Sequence, residues 1–117
     1  MVKKVSFAEF VEIKDSIRNK VLVVDFFAPW CGPCRALGQT LEELSKMFAD
    51  EYVEFVAINV DEAFVEIQAL GIRNVPTVHI MWDGVTQWQT SGAVDKETLQ
   101  SAIDSVFHTC NPPQSEV

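Results

Sequence analysis

Cysteine is scarce in this 117-residue chain, with three, and lysine and arginine together number nine against 17 aspartates and glutamates, a formal net charge of -8. A cysteine count that small and odd excludes a secreted scaffold held by several disulfides. The basic residues are scattered, which excludes the basic face of a nucleic-acid surface and a polybasic membrane contact. The opening stretch, MVKKVSFAEFVEIKDSIRNK, carries a charge every few residues. It therefore lacks the apolar core of a signal peptide and the length to cross a bilayer, so the expected location is the reducing cytoplasm. Low-complexity tracts and internal repeats are absent too. What is there is a chain with 48% hydrophobic residues, long enough to bury a core without metal or disulfide staples. One domain is expected over residues 1–108, with 109–117 as a polar, flexible tail ending in NPPQSEV. The acidic balance fits a plainly solvated surface, and equally a salt-sensitive attraction to partners of positive charge.

Apolar periodicity divides the domain into elements. Ser6 followed by Glu9 forms a capping box, and Phe7, Phe10, Val11 and Ile17 mark the apolar side of a first helix. VLVVDFF is the unbroken apolar run of a strand covered on both faces. Leu37, Leu41, Leu44 and Phe48 recur at helical spacing, so a second helix opens at or near Cys31. YVEFVAINV is the next strand, and DEAFVEIQALG a short helix stopped by Gly71. VPTVHIMW and VTQWQTSG, joined by the turn pair Asp83-Gly84, predict an antiparallel hairpin. Asp95 then caps a last helix with Leu99, Ala102, Ile103, Val106 and Phe107 as its apolar stripe. A short strand around Val2 to Val5 completes an α/β pattern: a mixed sheet, parallel first and antiparallel last, with helices on both faces.

The first long strand breaks off into PWCGPCR, which sets Cys31 and Cys34 at a helix start. A C-x-x-C in such a chain leaves metal binding or redox chemistry. A structural zinc needs two further ligands, and only His79, His108 and Cys110 remain, with no second paired motif among them. Redox chemistry needs nothing more than the pair itself. Free N–H groups and the positive end of the helix dipole favour a thiolate at Cys31, which makes that residue the expected exposed nucleophile. Cys34, one turn further in, is the more buried resolving thiol, which attacks the mixed disulfide and releases the reduced product. Pro33 stiffens the turn between them and so biases the relative stability of dithiol and disulfide.

WCGPC at Trp30 to Cys34, the preceding VVDFFAPW, VPT at Val75 to Thr77, Asp83-Gly84 and SGA at Ser91 to Ala93 together resemble the thioredoxin family, in order and spacing over residues 1–108. The resemblance implies a thioredoxin fold, a central mixed five-stranded sheet flanked by four helices. It also implies a general protein disulfide reductase, with disulfide-bearing proteins as substrates. No bound cofactor is expected, electrons coming from NADPH through a thioredoxin reductase. Gly-Pro between the thiols favours reduction over the oxidising and isomerising relatives. By the same resemblance Asp25, a carboxylate within VVDFF, is raised in pKa by burial and takes the proton of Cys34; the alternative is that it points to a solvated strand end. Pro76 matches the family's cis-proline, which leaves the Val75 backbone free to pair with an extended substrate; without the motif an ordinary trans proline would be expected. Trp30, Gly32, Val60, Val75, Gly92 and Ala93 would form the substrate-docking collar, although Val60 also fits plain core.

The sequence departs from the family pattern at several positions. Ala57 stands where many members carry a lysine beside the buried carboxylate, so Asp25 is expected to be harder to ionise. Thr40 replaces a proline that often kinks the second helix, with Gly38 nearby, and Phe27 replaces a second tryptophan. Trp82 and Trp88 are extra, and a cross-strand aromatic pair is expected of them. Cys110 is expected to be an exposed bystander, or else to link two copies of an otherwise monomeric protein under oxidising conditions. His108 suits a helix C-terminus, and His79 reads as a satisfied strand residue. Two rivals to the reductase remain open: a non-catalytic binding module or subunit on the same fold, for which Cys31, Cys34, Asp25 and Pro76 would be surplus, and a secreted oxidase or isomerase.

Overall fold

A computed structural model describes residues 1–111. In chain order its elements are β1 (Lys3–Lys4), α1 (Phe7–Ser16), β2 (Val21–Phe27), α2 (Gly32–Ser45), β3 (Val53–Asn59), a 3-10 turn (Val60–Glu62), α3 (Phe64–Ala69), β4 (Thr77–Trp82), β5 (Val85–Ser91) and α4 (Lys96–Cys110). The strands form one five-stranded sheet in the order β1-β3-β2-β4-β5. β2 pairs in parallel with β3, which pairs in parallel with β1; β4 is antiparallel to β2 and to β5. This is the mixed, helix-flanked sheet that the pattern predicts.

The alternation of β2 explains both layers. Leu22, Val24 and Phe26 join Phe10 and Ile17 of the α1 end and Ile67 of α3 in one buried cluster. Val21 and Val23, on the opposite face, pack with Leu37, Leu41 and Leu44 of α2 and with Leu99, Ile103 and Val106 of α4. Each fully buried side chain of this kind contributes about 1.5–3 kcal/mol of transfer free energy. Asp25 has the parity of Val21 and Val23, so β2 turns it toward the α2 and α4 side.

Local chemistry sets the element ends. Ser6 Oγ accepts from the Glu9 N–H at 3.1 Å while the Glu9 carboxylate accepts from the Ser6 N–H at 2.8 Å, the reciprocal capping box of α1. At the β4–β5 turn Asp83 and Gly84 have φ of 50° and 82°, the two left-handed residues such a hairpin requires. A Cβ on Gly84 would lie 2.9 Å from the Lys14 carbonyl oxygen, so only glycine lets the turn settle against α1.

Four expectations change. The helix expected over 61–71 is divided into the 3-10 turn and a shorter α3. Phe48 lies beyond the end of α2 and reaches the core from the following segment. α4 continues through Cys110, so the first two residues of the expected tail are helical and the tail from 112 lies outside the described residues. The turn sets Trp82 opposite Val85, and a register shift between Ile80 and Met81 puts Trp88 opposite Ile80. The two tryptophans therefore do not stack; Trp82 meets Phe107 edge-on at 6.2 Å instead.

Candidate active site

β2 ends in a tight turn in which the Cys31 N–H donates to the Ala28 carbonyl at 3.2 Å. That turn delivers Cys31 to the N-cap of α2, in extended backbone geometry, with Pro33 in the first helical turn. The Cys34 N–H donates to Cys31 Sγ at 3.2 Å, so a sulfur occupies the place of the usual capping oxygen. Pro33 has no N–H to compete for it. Cys31 and Cys34 are joined as a disulfide, with their Cα atoms 5.3 Å apart.

The expected contrast in exposure is corrected here. Cys31 is 6% exposed and Cys34 5%, so in the disulfide both are buried against the same core cluster. What distinguishes them is the N-cap: one sulfur receives a helix N–H and the positive end of the dipole.

Asp25 is buried, 3% exposed, and among the described residues its Oδ1 has no hydrogen-bond partner. Loss of hydration alone pushes its pKa up to about 7. In the sheet Asp25 stands opposite Ala57 on β3 and Val78 on β4, neither of which bears a charge. A cleft of about 890 Å3 is lined by Asp25, Cys34 and Ala57, among others, and so brings the carboxyl and one sulfur to a common space.

The remaining collar residues assemble unevenly. The Val75–Pro76 peptide is cis, and the Pro76 carbonyl accepts from the Gly92 N–H at 2.8 Å, which ties the Gly92 segment to the proline loop. Among the described residues, the backbone N–H and C=O of Val75 make no hydrogen bond. Trp30 is 70% exposed, and a second hollow, of about 510 Å3, is lined by Trp30, Val60 and Val75. Val60 is at the same time core, at 9% exposure. Gly32 and Ala93 are exposed, and neither lines either hollow.

Sequence reasoning missed Asp61, whose Oδ2 accepts the Trp30 indole N–H at 3.0 Å and holds the ring in place. Its only sequence signal is the Asn59 side chain two residues earlier, which caps the 3-10 turn by accepting from the Asp61 N–H at 2.9 Å. Gly38 and Thr40 lie within one continuous α2, where Thr40 Oγ1 donates to the Ala36 carbonyl at 3.2 Å. Phe27 lies beneath the Lys4 ammonium, 5.5 Å from its ring centroid. His79 is buried, bonded through Nδ1 to Thr86 Oγ1 at 3.1 Å, and burial lowers its pKa. His108 Nδ1 reaches the Asp104 carbonyl at 2.7 Å in the last turn of α4. Cys110 is free but half-buried against the α4 core, a correction to its expected exposure.

A redox disulfide at a helix N-terminus, on a five-stranded sheet of this order, defines a thiol-disulfide oxidoreductase. The thioredoxin family model matches residues 1–105, and the chain belongs to that family. It is 40% identical over 83 residues to thioredoxin 1 of Synechococcus elongatus, across 71% of this chain and 77% of that protein. It is 42% identical to chloroplastic thioredoxin M4 of Arabidopsis thaliana across 71% of this chain, a match that spans only 42% of the longer plant protein. The crystal structure of Malassezia sympodialis thioredoxin superposes with a TM-score of 0.79 and 34% identity, covering 92% of this chain and 91% of that one. Thioredoxins carry redox equivalents in a cysteine pair, working with a reductase and with disulfide substrates.

Proposed function

We propose that the chain is a general protein disulfide reductase recharged from NADPH through a thioredoxin reductase. The observation that carries this reading is the N-cap disulfide sharing a cleft with a buried, unpartnered carboxylate. In the reduced protein the Cys31 thiolate attacks one sulfur of a substrate disulfide. A mixed disulfide forms and the other substrate sulfur leaves as a thiolate. Cys34 loses its proton to Asp25 and attacks Cys31 Sγ, so the Cys31–Cys34 bond forms and the second substrate thiol is released. Two electrons pass to the substrate; Asp25 hands the Cys34 proton to the second leaving sulfur, and the first leaving thiolate takes its proton from water. A carboxyl with a pKa of about 7 suits this exchange, because it accepts and returns a proton near neutral pH.

Gly32 and Pro33 shape the loop, Pro76 holds the opposing segment, and Trp30, Val60, Val75, Gly92 and Ala93 receive the substrate backbone. The free N–H and C=O of Val75 support pairing with an extended chain. We place the protein in a reducing compartment, the cytoplasm, which the unpaired Cys110 thiol supports. The test is reduction of insulin disulfides with dithiothreitol as the electron source. Wild type accelerates it, Cys31→Ser and Cys34→Ser abolish the acceleration, and Cys34→Ser accumulates mixed disulfides. A folded wild-type protein with titratable thiols and no acceleration refutes the reading in favour of a binding module.

A further inference from the structure

The second hollow, which Trp30 lines, has Val60, Phe64, Ile67, Ile72 and Val75 as the rest of its apolar wall. Most of this wall is fixed before any partner arrives. Trp30 is held by Asp61, and Val60, Ile67 and Ile72 are buried core residues. Phe64 differs. It opens α3, is 60% exposed, and belongs to neither buried cluster among the described residues. An aromatic ring left in water at the lip of an apolar hollow is a surface that gains from being covered.

The hollow also fixes the kind of occupant. Two of its lining residues adjoin the reacting centre in the chain: Trp30 precedes Cys31 and Val75 precedes the cis-proline. Val75 offers an unpaired N–H and C=O beside it, which suits an extended polypeptide. Of the two charged residues in the lining, Asp61 is already engaged by the indole and Arg73, like Gln68 and Asn74, is exposed, whereas the buried part of the lining, Val60, Ile67 and Ile72, is apolar. We propose that Phe64 is a specificity-determining residue. It completes a pocket for one bulky apolar side chain of an extended substrate segment, within a few residues of the attacked cysteine. This deepens the reductase reading above and rests on it.

The experiment uses peptides that each carry one cysteine, presented as symmetric disulfide dimers. A single phenylalanine is moved through the positions flanking that cysteine in a glycine and serine background. The ratio of kcat/KM to that of the phenylalanine-free peptide is the readout. Wild type is expected to favour at least one position by about tenfold, the discrimination an apolar pocket supplies. Phe64→Ser brings that ratio toward one, and Phe64→Leu restores it. Phe64 is largely exposed, so neither change removes core packing. A wild-type ratio near one at every position, or a preference that survives Phe64→Ser, overturns the proposal. A folded wild type that reduces none of the peptides refutes the reductase reading itself, and the proposal with it.

Discussion

Asp25→Asn should stabilise the oxidised protein, and by an amount that depends on pH in a defined direction. The carboxyl has an ordinary pKa of 3.8 and is pushed to about 7 by burial in the folded chain. Between these values the unfolded chain has lost the proton and the folded chain still holds it, so stability falls as pH rises across that window. At ~1.36 kcal/mol per pH unit, the gap from 3.8 to about 7 amounts to roughly 4 kcal/mol once the pH exceeds 7. Burial is what raises the pKa, and the neighbours across the sheet, Ala57 and Val78, bear no charge. Asparagine matches the neutral carboxyl in shape and never ionises. Urea unfolding of both proteins from pH 4 to 9 should therefore give similar stabilities at the acid end and a gap of roughly 4 kcal/mol in favour of Asp25→Asn at the alkaline end. His79 contributes an opposite slope, since its lowered pKa makes stability rise with pH up to the ordinary value of 6.5, but it is common to both proteins and cancels. A difference that stays flat across the whole range would refute the reasoning.

Ala57→Lys places an ammonium opposite Asp25 on β3, with the cleft to receive its stem; the Asp25 titration followed by carboxyl NMR should move down by about 1–3 pH units. Ser6→Ala removes the α1 cap and should cost about 1 kcal/mol in chemical denaturation, with Ser6→Asp retaining most of it. Leu99→Ala leaves a cavity beneath α4 where the side chain is fully buried, and a loss of about 2–5 kcal/mol is expected in the same assay.

Much of the fold was legible because its signals are local. The capping box at Ser6 and Glu9, the turn pair Asp83-Gly84 and the stripe from Leu99 to Val106 each specify an element from neighbouring residues. Local signals fail where two elements must agree. The turn sets Trp82 opposite Val85, and the register shift between Ile80 and Met81 puts Trp88 opposite Ile80; no feature of either strand alone announces that shift. The active site divides in the same way. Cys31, Gly32, Pro33 and Cys34 at a helix start were readable as a redox pair, because spacing and the capping position suffice. That Cys31 is as buried as Cys34, that Asp25 is unpartnered within a common cleft, and that Asp61 pins Trp30 were not readable. Each depends on groups far apart in the chain. The sequence by itself determined the order of elements, the two faces of the sheet and the chemistry of the thiol pair, since periodicity, caps and residue type act over a few positions. Only the tertiary structure decided how dry the carboxylate is, where the tryptophans point and that Phe64 remains uncovered, since burial is a property of what other segments pack against.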